Sequence, residues 1–343
     1  MSKHHKQQLS SRTLDALTLE DGALFHSGKG APVEMPAPLA PLADSHGHLT
    51  HFREHDPAEE LARAAVSGVR LLVVPLDPVG DARDARAVLD DLSRWQEELP
   101  ERLHELRETA GLVPRDVAGF ERRDGLDWPL DLRIVGGVHP YGALLLDDEA
   151  QRQLEILLAD ERCVGVGEFG LDVGPWSELP LEVQEPAFRQ QLRLAHAHGL
   201  PVELHLRDEE DGVHASAHDL TLRILEEEGV PEAGCDLHCF TSDAQIMQPF
   251  VDLGCHIAFG GAATFGRSTD IREAAVRCPA ERILSETDSP YMAPVPLRGQ
   301  ECEPAMIAFS AACVAQARAE AGVATAAETY RSLWENALAF FNL

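Results

Sequence analysis

Between residues 42 and 288, eight short runs rich in Val, Ile and Leu alternate with segments of helical hydrophobic period. The runs are LADSH (42–46), VRLLVVPL (69–76), LRIVGGVH (132–139), CVGVGEF (163–169), PVELHL (201–206), CDLHCF (235–240), HIAFGG (256–261) and RILSETD (282–288). The helical segments include PAEELARAAVSG, EAQRQLEILLADE, LEVQEPAFRQQLRLAHAHG, HDLTLRILEEEG, AQIMQPFVDLG and TDIREAAVRC, and two more near 303–321 and 325–340 end the chain. Alternation of this kind reads as parallel βαβ units, and eight of them predict an α/β fold, the (β/α)8 TIM barrel. Residues 1–40, Pro-rich at their end, read as an N-terminal extension, partly disordered or draped on a barrel domain spanning 41–343. Residues 81–126 read as an enlarged connection, one long charged surface helix with a return loop.

The polar residues of these runs sit at their ends. In PLADSHGHLTHF, Asp44, His46 and His48 occupy every second position, which in a strand places all three on one face. His139 ends the third run, Glu168 the fourth, His205 the fifth, His238 the sixth and Asp288 the eighth. A barrel gathers its strand C-termini at one mouth, where active sites lie. One strand-end His is ordinarily a satisfied core histidine, and one strand-end Asp is often a helix N-cap, as expected of Asp243 and Asp270. So many ionisable groups buried together call for a cation.

Four imidazoles and two carboxylates suit a pair of divalent ions bridged by a carboxylate and a water or hydroxide. His46 and His48 would hold one ion, His205 and His238 the other, with Glu168 as the bridge. Asp288 would complete the first shell and orient or deprotonate the attacking water. Some two-metal barrel hydrolases use a carboxylated lysine as the bridge. Here the lysines are Lys3, Lys6 and Lys29 only, so a carboxylate must serve.

The net charge of −29 argues against sequence-independent binding along a nucleic-acid backbone, though bound cations reverse the local field. No apolar run is long enough to span a membrane, and MSKHHKQQLSSRTLD lacks the apolar stretch of a secretory signal. Seven scattered cysteines without a C-x-x-C pair indicate free thiols in a reducing cytoplasm.

D-S-H-G-H, G-x-H-P, G-E-F-G-L-D, F-x-x-Q-L-x-L-A, L-P-x-x-x-H-x-R, H-C-F, G-x-x-x-x-F-G-G-x-x-T-F and E-T-D-S-P-Y occur in that order over residues 42–340. This set resembles the TatD family of metal-dependent deoxyribonucleases, within the amidohydrolase-like barrel superfamily. The resemblance implies a TIM barrel, two divalent ions (Zn2+, Mg2+ or Mn2+) and hydrolysis of phosphodiesters as a 3′→5′ exonuclease on single-stranded DNA. It implies His46, His48, Glu168, His205, His238 and Asp288 as ligands, with Asp288 and Glu168 catalytic. It places His139 towards the substrate or just behind the ligands, and lets Arg207 meet a phosphate oxygen, the alternative being a salt bridge with Asp208 or Glu209. Where the family commonly has R-N-E-P, this chain has R-G-Q-E-C-E-P, with Cys302 in place of Asn and with Glu303 and Pro304 matching.

The other histidines have plainer readings. His51 and His55 belong to a loop at the rim, and His196 and His198 diverge from one helix. His214 and His218 could share a helical face in an acidic loop. His4 and His5 could bind metal adventitiously. Because a fold does not set a substrate, a dinuclear hydrolase of a small ester, lactone or phosphoester stands as the alternative, favoured by the acidic surface.

Overall fold

The computed structural model describes residues 21–115, 117, 130–210 and 214–343. Eight parallel strands stand side by side in chain order: β1 Leu42–Asp44, β2 Val69–Leu76, β3 Asp131–Gly136, β4 Cys163–Asp172, β5 Val202–Arg207, β6 Cys235–Leu237, β7 His256–Phe259 and β8 Ile283–Ser285. β8 returns to β1 along a seam. Ser45 donates its backbone N–H to Ser285 O at 3.0 Å, and the Ser285 hydroxyl donates to Ala43 O at 3.0 Å. Beyond the strands the seam continues, Asp288 N–H to His46 O at 2.9 Å and His48 N–H to Ser289 O at 2.8 Å. The expected barrel is what the chain forms.

Helices α1 Pro57–Ser67, α2 Ala85–Ala110, α3 Asp148–Leu158, α4 Leu181–His198, α5 Ser216–Glu228, α6 Ala244–Asp252 and α7 Thr269–Arg277 link successive strands, followed by α8 Ile307–Glu320 and α9 Ala326–Phe340. Local chemistry sets their ends. Asp56 caps α1 by accepting from Ala58 N and Glu59 N, Pro57 supplies a φ already suited to a first turn, and Gly68 ends the helix in the left-handed region. Thr325 and Glu328 form a reciprocal capping box on α9. Asp243 caps α6 as anticipated. Asp270 does not cap α7: it lies in the first turn, and Ser268 occupies the cap position.

Two apolar layers result. Ala43, Leu71, Val73, Val135, Val164, Ala258 and Leu284 fill the barrel interior, where Phe340 and Phe341 at the end of α9 join them. A larger layer, including Leu72, Val74, Leu204 and Ile257, packs the strands against the helices. Helix α2 buries one stripe, Val88, Leu89, Leu92, Leu99 and Leu106, and leaves its charged side in solvent. The return passage of that connection, residues 116 and 118–129, lies outside the described residues, as do residues 1–20 of the extension with His4 and His5.

Residues 21–40 pack on the barrel. Phe25–His26 pairs antiparallel with Pro32–Val33, and Phe25 sets its ring edge-on to Phe309 at 5.3 Å. Leu24 O accepts from Arg63 Nη2 at 2.6 Å. The same guanidinium grips Glu303 through Nε (2.5 Å) and Nη2 (2.8 Å), both side chains buried. Glu303, the family-matching residue of the R-G-Q-E-C-E-P stretch, thus ties α1, the N-terminal segment and the loop before α8 together.

Removing one partner of a buried bidentate pair leaves the other charge without compensation. Arg63→Met is expected to lower unfolding stability by about 3–5 kcal/mol in urea titrations. A loss under about 1 kcal/mol, the level of an exposed pair, would contradict this account.

Candidate metal centre

The strands end before the polar residues do. β1 stops at Asp44, β3 at Gly136, β6 at Leu237 and β8 at Ser285, so His46, His48, His139, His238 and Asp288 stand on the turns just beyond them. β4 and β5 run further: His205 lies within their ladder and Glu168 at its irregularity between Val166 and Phe169. The second glycine of G-E-F-G serves this pairing: a Cβ on Gly170 would fall 1.8 Å from His205 O.

Six groups converge there. His46 Nε2 and His48 Nε2 lie 3.2 Å apart. They stand 3.8 and 3.5 Å from Glu168 Oε1, and 3.9 and 3.7 Å from Asp288 Oδ1. On the opposite side, His205 Nδ1 and His238 Nε2 are 3.2 and 3.0 Å from Glu168 Oε2, and 3.2 Å from each other. Glu168 therefore turns one carboxylate oxygen towards each histidine pair. His139 Nε2 reaches the Oε2 side at 4.0 Å. Among the described residues three sets could hold an ion, His46–His48–Asp288, His46–Glu168–His238 and His139–Glu168–His205, the ligand atoms of each lying within 4.8 Å of one another.

The electrostatics suit a cation. Burial pushes His48 and His139 down to about 3 and lowers His46 and His238, so these imidazoles are neutral. Two neutral imidazole nitrogens facing at 3.2 Å oppose lone pairs unless a proton or an ion sits between them. Burial works against charge on Glu168 too, yet the surrounding His238, His139 and His205 hold its carboxyl well below the usual range. Burial beside Glu168 pushes Asp288 up to about 8. His205, despite burial, is carried up to about 9 by hydrogen bonds to Asp172 and Glu168. Buried imidazole and carboxylate donors in this proportion fit divalent ions of the Zn2+ and Mn2+ type.

A second tier of acids lies behind the histidines, Asp172 hydrogen-bonded to His205 and the others close by. Glu203 Oε2 is 3.1 Å from His46 Nδ1, Asp172 Oδ2 is 3.0 Å from His205 Nε2, and Glu286 Oε2 is 3.8 Å from His238 Nδ1. Such acids orient ligating imidazoles and select their tautomer. Asp44 is not among the convergent groups. The strand ends there, and its carboxylate turns to accept from Thr287 N at 2.8 Å and Thr287 Oγ1 at 2.6 Å. Asp288 next to it takes φ 55°, a left-handed conformation that Asp tolerates better than most residues.

Arg207 pairs with Glu210 (Nη2–Oε1, 3.2 Å), not with Asp208 or Glu209, and its guanidinium carbon lies over the Trp176 ring. Those two acids are engaged elsewhere, Asp208 with His218 and the start of α5, Glu209 with Ser216. His51 stacks on His48 with centroids 4.2 Å apart, and His55 contacts Glu60 at 2.8 Å. His196 contacts Gly229 O and His198 contacts Glu155, both away from the mouth. His214 precedes α5, so it shares no helical face with His218.

The family described as TatD related DNase matches residues 43–342. An uncharacterized metal-dependent hydrolase TatD of Mycobacterium tuberculosis (strain H37Rv) is 34% identical over 282 residues, 80% of this chain and 89% of that protein. The uncharacterized metal-dependent hydrolase YcfH of Escherichia coli (strain K12) is 40% identical over 171 residues, half of this chain; the match spans 60% of that relative's length. A 3′-5′ ssDNA/RNA exonuclease TatD of Klebsiella pneumoniae (strain 342) is 36% identical over 193 residues, 54% of this chain and 69% of that protein. Among solved structures, YJJV, a TatD homolog from Escherichia coli K12, superposes with a TM-score of 0.68 at 27% identity, covering 88% of this chain and 98% of that one.

Metal ligands bind in their deprotonated forms, so loading the pocket with a divalent cation at neutral pH is expected to release protons. Asp288 and His205, raised to about 8 and about 9, supply them. Release should fall away as pH rises through that interval. Calorimetric titration in buffers of differing ionisation enthalpy measures it; proton-neutral loading at neutral pH would contradict the assignment.

Proposed function

The chain belongs to the TatD-related DNase family, and on that premise we propose that it is a cytoplasmic metal-dependent phosphodiesterase that shortens single-stranded DNA from its 3′ end. The observation that carries this reading is the split Glu168 carboxylate, one oxygen towards His46 and His48 and the other towards His205 and His238. A carboxylate turned to two imidazole pairs would suit a pair of divalent ions, and phosphoryl transfer is among the reactions such two-metal sites perform. The exonuclease name of the Klebsiella pneumoniae relative supports the substrate class.

In this reading His46, His48 and Asp288 would hold one divalent ion and His205 and His238 the other, with Glu168 facing both pairs. When bound, such a pair would supply the positive charge that stabilises a phosphoryl transition state and the acidity that activates water. Asp288 points Oδ1 at the His46–His48 side and Oδ2 at the Cys239 thiol (3.5 Å), so Oδ1 is the atom positioned to take the proton of the attacking water. His139 accepts Tyr141 N–H at Nδ1 (3.2 Å). As a neutral imidazole it then carries its own proton on Nε2, the atom facing the site, and donates it in a hydrogen bond to a phosphoryl or leaving oxygen. Asp172 keeps the His205 imidazole in position through its hydrogen bond, with Glu203 and Glu286 set behind His46 and His238.

The net charge of −29 favours a second reading, hydrolysis of a small ester, lactone or phosphoester. The two separate on one panel. Reloaded with Mn2+, the protein is expected to convert a 5′-labelled single-stranded oligonucleotide into a ladder shortened from the 3′ end, and a chelator should stop it. Asp288→Asn should lower kcat by about 10²–10⁴-fold with the circular dichroism spectrum retained. An intact oligonucleotide alongside rapid turnover of an aryl ester or lactone would overturn the nuclease reading in favour of the second.

A further inference from the structure

The rim beside His205 carries a feature that neither the metal ligands nor the acids behind them use. Arg207, two residues past His205, lays its guanidinium over the indole of Trp176, Cζ to ring centroid 4.2 Å. The arrangement is built. Glu210 holds the guanidinium from one side at 3.2 Å. A Cβ on Gly174 would stand 2.5 Å from Arg207 Nε, so glycine is what lets the arginine cross the loop. Trp176 nevertheless keeps 67% of its surface exposed.

The stack connects to the site. Tyr141, 45% exposed, donates its hydroxyl to Asp172 Oδ2 at 2.9 Å, the same oxygen that takes His205 Nε2, and its ring packs on His139 at 4.4 Å. Across the mouth Tyr291, 50% exposed, stands edge-on to His48 at 5.9 Å. Exposed aromatic rings thus flank the carboxylates on both sides, although an indole is ordinarily well buried.

The overall charge narrows what such rings could take. A chain at −29 has no surplus of cations with which to track phosphates along a groove. Stacking on aromatic rings holds single strands through the flat faces of their bases and does not depend on backbone charge, and a guanidinium behind the ring adds to it. We propose that Trp176, backed by Arg207, stacks one unpaired base of the strand and so positions the adjoining phosphate over Glu168. This rests on the phosphodiesterase reading and deepens it: the substrate is recognised by an unstacked base, which a duplex does not offer.

The test uses the full-length, Mn2+-loaded protein with a short single-stranded oligothymidylate and a counterpart bearing tetrahydrofuran abasic residues. Trp176→Ala is expected to raise KM for the oligothymidylate about tenfold, the range of one lost base–aromatic stack, with kcat within about twofold. Trp176→Phe, which keeps a flat ring, should restore most of the loss, and the abasic strand should show the raised KM with wild-type protein already. Unchanged KM in Trp176→Ala, or a fall in kcat shared by both strands, would overturn the proposal while the phosphodiesterase reading stood. Failure of wild-type protein to cleave either strand would sink that reading and this inference with it.

Discussion

Closure of the barrel along the β8–β1 seam is the constraint on which the site depends. Asp288 lies about as far from His46 in sequence as the chain allows within the barrel, yet its own amide donates to His46 O. Asp44 fastens Thr287 from below, Ser285 and Ser45 knit the strand ends, and His48 N–H holds Ser289 O. A slip of one residue in that pairing would turn Asp288 away from both histidines. The seam therefore sets one half of the site, and the β4–β5 ladder, which carries Glu168 and His205 in adjacent strands, sets the other.

Beneath the convergent groups lies a layer of buried acids. Asp44, Glu203, Asp236 and Glu286 come from β1, β5, β6 and the end of β8, all nearly inaccessible, and burial raises the pKa of each. Acids and imidazoles shut away together are unfavourable unless compensated. Cations above the layer would draw the imidazole Nε2 atoms of His46 and His238 upward and leave their Nδ1 atoms to the acids. The support runs crosswise: an acid of β5 backs a histidine after β1, and an acid after β8 backs a histidine after β6.

Much of this was legible in the sequence. The alternation of short apolar runs with helical segments led to the barrel, and the polar residues ending those runs led to the six convergent side chains. One of the acids behind them was also readable, because Glu203 precedes His205 by two positions within β5 and so shares its face. That period-two reading was applied only to Asp44, His46 and His48, where it fails: the strand stops at Asp44, alternation ends with it, and its carboxylate turns to the seam. The salt-bridge partner of Arg207 was misjudged for a related reason. Asp208 and Glu209 are its nearest acids along the chain, but both are committed to the start of α5, and Glu210 is the one left within reach. The Trp176 stack depends on a tertiary approach across Gly174, which spacing does not reveal.

Anomalous diffraction from crystals grown with Mn2+ tests the central claim most directly. The expected result is two peaks about 3.5–4 Å apart, with Glu168 between them. One should be held by His46, His48 and Asp288, the other by His205 and His238. A single peak, or none at saturating metal with Glu168 turned away from either histidine pair, would contradict the account.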